Sequence, residues 1–330
     1  MKKIHFYFLA ICIATSTIAS AQDPIFSQFF STPMQINPAF AGNTLAPRVA
    51  LAYRDQWRNF NNAFSTAALT YDQFLPFINS GIGISLLSDR AGNNIYQKNS
   101  LGLNYAYRLE VSNNTFIKIG LEAGATQSTV DWDRLVFLDQ LDPVGGLVGG
   151  TQEVRPTNLS KTYFDISSGM LLYNPDFYVG LSVKHLNTPD ESYFNNNSNL
   201  NTGLPMRYTL HAGTQIPLDG RNKRKSTTFI SPNILLVKQG AFAQVNVGAN
   251  IGFGAVFAGA WYRNTFRNSD AVIAQVGFQK GIFKVGYSHD ITVNGLPNTW
   301  GAHELTMVFN FDALYDRNKT DYNDCFKIFR

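Results

Sequence analysis

Ser100-Leu101-Gly102-Leu103-Asn104-Tyr105-Ala106-Tyr107-Arg108-Leu109 places every large apolar side chain at an odd number and Ser, Gly, Asn, Ala and Arg at even ones. Successive side chains of a strand point to opposite faces, so this decapeptide reads as a strand with one apolar and one polar face. The pattern continues just downstream. In Phe116 to Thr126, Ile117, Ile119, Leu121, Ala123 and Ala125 oppose Phe116, Lys118, Gly120, Glu122, Gly124 and Thr126. Phe177, Val179, Leu181 and Val183 alternate with Tyr178, Gly180, Ser182 and Lys184. The same holds for Val272 to Gln279 and for Glu304 to Phe311.

A soluble β-sandwich also alternates, but three features favour a membrane barrel. The alternating segments run to about 9–14 residues, where soluble strands are usually about 5–6. The second face carries Lys118, Glu122, Lys184, Lys284 and Glu304 among Gly and Ser, as a water-filled or polar-plugged lumen requires. Aromatics crowd the strand ends in the pairs Tyr53/Trp57, Tyr71/Phe74, Tyr105/Tyr107, Tyr173/Phe177, Trp261/Tyr262 and Phe309/Phe311, which predicts girdles at both interfaces. Charged residues make up 15 % of the chain and aromatic ones 14 %. No segment after the leader has the roughly 20 apolar residues of a membrane helix. The most apolar stretch, Gly252 to Tyr262, is short and glycine-rich.

The predicted strands are 46–57, 62–72, 81–90, 96–109, 115–130, 162–173, 176–184, 205–219, 226–237, 240–252, 255–263, 269–280, 281–293 and 300–312. They number fourteen, an even count that suits a closed antiparallel barrel. Short links such as Asn174-Pro175-Asp176 and Lys280-Gly281 follow even strands, and longer loops such as 131–161 follow odd ones. Periplasmic turns of outer-membrane barrels are short and outer loops long, so the expected orientation has both termini in the periplasm. Hydrocarbon offers no water to a free strand edge, so the first and last strands are expected to pair.

Lys2 and Lys3 precede an apolar run from Ile4 to Ile13, and Ala19-Ser20-Ala21 has the form of a signal-peptidase site. Residues 1–21 are therefore read as a signal peptide cleaved between Ala21 and Gln22. The leader's Cys12 leaves only Cys325 in the mature chain, so no intramolecular disulfide is available. The net charge is +4, and the one basic run, Arg221-Asn222-Lys223-Arg224-Lys225, reads as a solvated inter-strand turn, not a nucleic-acid site.

The segment after the leader is not a strand. It reads Asp23-Pro24-Ile25-Phe26-Ser27-Gln28, then Asn37-Pro38-Ala39-Phe40-Ala41-Gly42, and the first strand ends in Tyr53-Arg54-Asp55-Gln56-Trp57. This order resembles the PorP/SprF family of outer-membrane proteins of the type IX secretion system, found in Bacteroidetes. The residues that carry it are Asp23, Pro24, Phe26, Ser27 and Gln28; Asn37, Pro38, Ala39, Ala41 and Gly42; and Tyr53, Arg54, Gln56 and Trp57. Gly286-Tyr287-Ser288, Asp290-Ile291-Thr292 and His303-Glu304-Leu305 also look like the family. At the end, Phe326 stands where the family's C-P-x-F has proline. The resemblance implies a non-enzymatic barrel in outer-membrane lipid. It would bind, escort or anchor secreted cargo, such as gliding-motility adhesins with type B C-terminal sorting domains, or link to the periplasmic ring of the machine. The motif residues then become candidates for partner binding or docking.

The expected layout is a signal peptide at 1–21, a periplasmic or lumenal segment at 22–45, a barrel at 46–312 and a periplasmic tail at 313–330. Arg48 and Arg54 share the polar face of the first strand, where they either fix the N-terminal segment or merely line a wet lumen. Asp131, Asp133, Asp139 and Asp142 offer oxygens suited to calcium, but without a calcium-loop pattern they read as a solvated loop. His185, His211, His289 and His303 have no Cys or His at zinc-ligand spacing. No nucleophile elbow or phosphate loop occurs, so no catalytic, cofactor or metal residue is expected. The rival to a docking barrel is a channel for a small solute.

Overall fold

The computed structural model describes residues 22–60, 63–112, 114–142, 144–194, 203–219, 228–266, 269–293, 299–314 and 329. The leader through Ala21, the basic turn 221–225 and the tail with Cys325 lie outside these. Fourteen strands form the wall: β1 (Arg48–Gln56), β2 (Phe64–Leu75), β3 (Ser80–Ala91), β4 (Tyr96–Ser112), β5 (Thr115–Val130), β6 (Ser160–Tyr173), β7 (Phe177–Lys184), β8 (Arg207–Thr214), β9 (Thr228–Gln239), β10 (Phe242–Phe253), β11 (Val256–Asn264), β12 (Ser269–Lys280), β13 (Phe283–Thr292) and β14 (Ala302–Asn310). Each pairs antiparallel with its sequence neighbours. β1 also pairs with β14, from Arg48↔Asn310 to Gln56↔Ala302, which closes the barrel and leaves neither edge free. The eighth predicted strand, 205–219, stops at Thr214, and only the short piece Ile216–Pro217 continues beside β9.

Alternation is obeyed throughout. Leu101, Leu103, Tyr105, Tyr107 and Leu109 face outward on β4, while Lys118, Glu122, Lys184, Lys284 and Glu304 are buried in the lumen. Three rings assigned to the lipid girdles point inward instead: Phe74, Tyr173 and Trp261 are 1 %, 1 % and 3 % exposed. Their parity decides this, since Phe74 shares a face with Asp72, Tyr173 with Leu171, and Trp261 with Arg263. Tyr53, Tyr105, Tyr107, Phe177 and Tyr262 remain exposed on the outer wall.

The inward rings meet an apolar core inside the barrel. Phe29, Phe30, Met34, Ile36, Ala39, Phe40 and Ala41 of the N-terminal segment pack against Phe116, Leu171, Tyr173, Tyr178, Leu235, Phe257, Trp261 and Ile273 of the wall. Phe29 meets Trp261 edge-on at 5.2 Å, and Phe30 stacks on it at 6.5 Å. A polar lumen is thus only part of the picture: polar side chains ring an aromatic plug. Each buried Phe contributes about 1.5–3 kcal/mol to holding it.

Candidate functional site

The N-terminal segment runs through the lumen on buried side chains of the wall, and the family-motif residues are its fastening points. Asp23 lies at the mouth where the long loops attach. Its carboxylate is 2.5 Å from His185 Nε2 and 3.4 Å from Arg207, and its backbone N–H donates to Gln239. Burial alone would raise the Asp23 pKa, but the charges of His185, Arg207 and Lys98 hold it well below the usual carboxylate range. His185 sits between Asp23 and Asp165, the latter at 2.9 Å. Burial would lower its pKa, yet the two carboxylates raise it above the ordinary imidazole value.

Four residues on, Ser27 and Gln28 enter a charged knot. Their backbone N–H groups donate to the two oxygens of Glu304, both at 2.7 Å. Ser27 Oγ lies 2.8 Å from each Asp290 oxygen and accepts from Arg54 at 2.5 Å and Arg263 at 2.7 Å. Arg54 and Arg263 each reach Asp290 at 2.8 Å. The forked guanidinium groups let two arginines bridge one serine and one carboxylate. The Gln28 side-chain amide donates a hydrogen bond to the Glu304 carbonyl and accepts one from Thr306. Of the two readings for Arg48 and Arg54, fixing the segment is what the geometry gives. Arg48 donates to the Ser31 carbonyl at 2.6 Å and pairs with Asp72.

Deeper in, the Asn37-Pro38-Ala39 turn explains itself residue by residue. Asn37 caps the 3-10 turn Pro38–Phe40 by accepting from Ala39 N–H at 2.9 Å, and Pro38 occupies the first helical position, where no donor is needed. The Asn37 amide donates to the carbonyls of Met170 and Leu181, both at 3.1 Å, and lies 3.0 Å from His211 Nε2. The turn lies against the wall where a Cβ on Gly120 would strike the backbone of Pro38 and Ala39. Gly42, at φ +63°, meets Gly81 at a contact that leaves no room for a side chain on either. Lys118 donates to the carbonyls of Ala41 and Gly42 at 2.7 and 3.0 Å.

The structure therefore gathers Asp23, Ser27, Gln28, Arg54 and Gln56 at the long-loop half of the lumen, and Asn37, Pro38, Ala39 and Gly42 at the short-turn half. Phe26 packs separately on Ala52 and Ala68. Tyr53 does not join them; it is 51 % exposed on the outer wall. Trp57 ends β1 at the mouth, edge-on to Phe64 at 5.5 Å. At the opposite mouth Phe329 stacks on Phe40 at 5.0 Å and meets Tyr178 at 5.1 Å. Motif reading alone missed the wall partners Asp72, Arg263, Asp290 and Glu304 as fastening points. Glu304 lies directly across from Arg54 in the closing seam, a pairing that the closed register supplies.

Three of the four loop aspartates bond within their own loop, and the backbone N–H of the fourth, Asp131, donates to the Ile95 carbonyl. Asp139 accepts from Thr151 and Gln152, Asp133 pairs with Arg155, and Asp142 accepts from Val144 and Gly145. Among the described residues no group of three or more His, Cys, Asp or Glu is placed to hold a metal.

With this geometry in view, the match to a family model decides the relationship: residues 18–309 match the type IX secretion system membrane protein PorP/SprF. The chain belongs to that family. It is a PorP/SprF outer-membrane β-barrel, and Asp23, Ser27, Gln28, Asn37 and Arg54, which carry the resemblance, are among the residues that hold its N-terminal segment in the lumen. No curated protein matches the sequence. Among solved structures, the outer membrane protein Omp33 of Acinetobacter baumannii is similar at 9 % identity, over 82 % of this chain and 100 % of its own, with a TM-score of 0.43. A FadL homologue of Pseudomonas aeruginosa is similar at 11 % identity over 83 % and 93 %, TM-score 0.43. BamA of Haemophilus ducreyi lacking POTRA domains 1–3 is similar at 12 % over 81 % and 70 %, TM-score 0.41.

Proposed function

We propose that this PorP/SprF barrel is a closed, non-enzymatic docking station that binds, escorts or anchors exported type IX cargo, in preference to a channel for a small solute. The observation that supports this reading is the filled lumen: residues from Phe26 to Thr44 are almost all buried there, with Phe29, Phe30 and Phe40 at 1 % exposure or less. A solute pore needs a continuous wet path, and a resident aromatic plug works against one.

The same reading orients the barrel. With the long loops outside, Phe329 stays at the periplasmic mouth. Asp23, bound to His185 and Arg207 at the long-loop end, reaches the outer mouth. We propose this in place of a periplasmic N-terminus, with the leader still removed before Gln22. The outer end, with its loops and the plug's first residues, is then the face offered to cargo such as an adhesin bearing a type B sorting domain.

The test is isolation of the tagged barrel from its native outer membrane in mild detergent after brief cross-linking. Docking predicts that an exported type IX protein comes with it. A barrel that brings down no exported or secretion-machine protein, yet makes liposomes leak solute, overturns the reading in favour of transport.

A further inference from the structure

The outer half of the lumen is not full. Beside Asp23–Ile25 lies an open cavity of about 430 Å³, walled by β1, β2, β3, β10 and β11. This is within the size range of ligand pockets, about 300–1,000 Å³. Its rim is aromatic, with Trp57, Phe64 and Phe242, and its wall offers the amides of Gln56 and Gln244.

Among the described residues the side-chain charges around it balance with one exception. Arg54 and Arg263 are matched by Asp290 and Glu304. Lys98, His185 and Arg207 are matched by Asp23, Glu191 and Asp165. That leaves Asp89, which lines the cavity and accepts one hydrogen bond, from Thr66 at 2.6 Å. Its cross-strand neighbour Lys98 reaches Glu191 at 2.7 Å instead. Among the described residues no cation stands within 4.0 Å of Asp89. A carboxylate with no cation in salt-bridge contact, its neighbour Lys98 being turned to Glu191, in a cavity rimmed by aromatic faces, is a seat for an ammonium or guanidinium group.

The wall also shows how it reads a guest. Arg48, Arg207, Ser182 and Lys118 donate to backbone carbonyls of the resident segment, at Ser31, Gln35, Ile36 and Ala41. The lumen is thus built to hold irregular polypeptide by its main chain. The cavity continues along the same segment, with Pro24 and Ile25 as one side.

We infer that this outer vestibule takes a short extended peptide of an exported partner, laid beside Asp23–Ile25, with a lysine or arginine side chain on Asp89 and its stem against the aromatic rim. The inference rests on the docking reading and names the chemistry of what docks. Gln56 and Gln244 meet the guest's main chain, as amide side chains both donate and accept.

The test uses the purified full-length barrel in detergent and two fluorescein-labelled hexapeptides of Gly and Ser, one with a central Lys and one with a central Glu. Fluorescence anisotropy is expected to show saturable binding of the Lys peptide only. Asp89→Asn should weaken it about tenfold and Trp57→Ala several-fold, while Asp89→Glu retains it. Heat-modifiable gel mobility checks that each variant is a folded barrel. Equal binding of both peptides, or a Lys peptide indifferent to Asp89→Asn in a folded barrel, overturns the inference. So does spermidine displacing the peptide at concentrations equal to its own binding constant while free peptide does not, since the seat would then serve free amines. Cargo that still co-isolates undiminished with the folded Asp89→Asn barrel overturns this inference and leaves the docking reading standing. Peptide binding without any co-isolated cargo does the reverse.

Discussion

Replacing Arg54 with alanine tests the charged knot at its centre. Arg54 gives hydrogen bonds to Ser27 Oγ at 2.5 Å and Asp290 at 2.8 Å and pairs with Glu304 at 3.4 Å, all in a site where it is 5 % exposed. Truncation leaves Asp290 with Arg263 and the Ser27 hydroxyl, and Glu304 with the N–H donors of Ser27 and Gln28. Breaking a buried ion pair from one side costs about 3–5 kcal/mol. The vestibule lies against Arg54, so water can enter and the cost falls at the low end, about 3 kcal/mol. That loss raises the undocked fraction of the segment's first turn about a hundredfold. Hydrogen exchange in detergent reads it directly, because the amides of Ser27 and Gln28 are the donors to Glu304. Their protection should fall about a hundredfold while amides of the wall strands keep theirs. Arg54→Lys should recover only part, since an ammonium cannot bridge Ser27 and Asp290 as a fork does. Unchanged protection at Ser27 and Gln28 in Arg54→Ala would refute the reasoning.

Asn37→Ala removes the amide's hydrogen bonds to Met170 and Leu181 and the cap of the Pro38 turn, which should cost about 2 kcal/mol and expose the 37–42 segment to protease in the folded barrel. Gly120→Val places a side chain on the backbone of Pro38 and Ala39. Barrel assembly should survive, but the plug should be displaced, seen as increased proteolysis of residues 30–45. The hold on Asp23 should depend on pH in a stated direction. The contribution of His185, whose folded value is raised, is complete below about pH 6.5 and lost as pH rises through that raised value. The contribution of Asp23, whose folded value is depressed, is present above about pH 3.9 and lost as pH falls through its lowered value. Protection factors of the Ile25 and Phe26 amides should therefore be highest between about pH 4 and 6.5 and fall on the alkaline side, and a flat profile would contradict the assignment.

Much of the wall could be read from alternation, because the parity of a strand's side chains is a local property. Ser100–Leu109 announces its own two faces, and β4 starts at Tyr96 as the predicted strand 96–109 does and runs on to Ser112. The plug could not be read that way. Asp23 to Gly42 has no period, and its partners are distant in sequence: Ser27 meets Asp290 and Glu304 across 263 and 277 positions. The motifs marked which residues mattered, but not that three of them form one knot with the closing seam. The lipid-girdle reading of Phe74, Tyr173 and Trp261 failed because composition at strand ends ignores parity, which turns these rings toward an aromatic plug. Tyr53 keeps the girdle place read for it, since an odd-numbered neighbour of Arg54 has to face the membrane. Glu304 looked like one more polar residue of a last strand. Its register opposite Arg54 is what gives it a role, and register becomes visible only once the barrel is closed.

Single-channel recording in planar bilayers tests the central claim, that the lumen is sealed by the chain's own N-terminal segment. The intact barrel should carry no steady current, and a barrel lacking residues 24–44, with β1 to β14 untouched, should conduct. Steady conductance by the intact protein equal to that of the deletion would contradict the account.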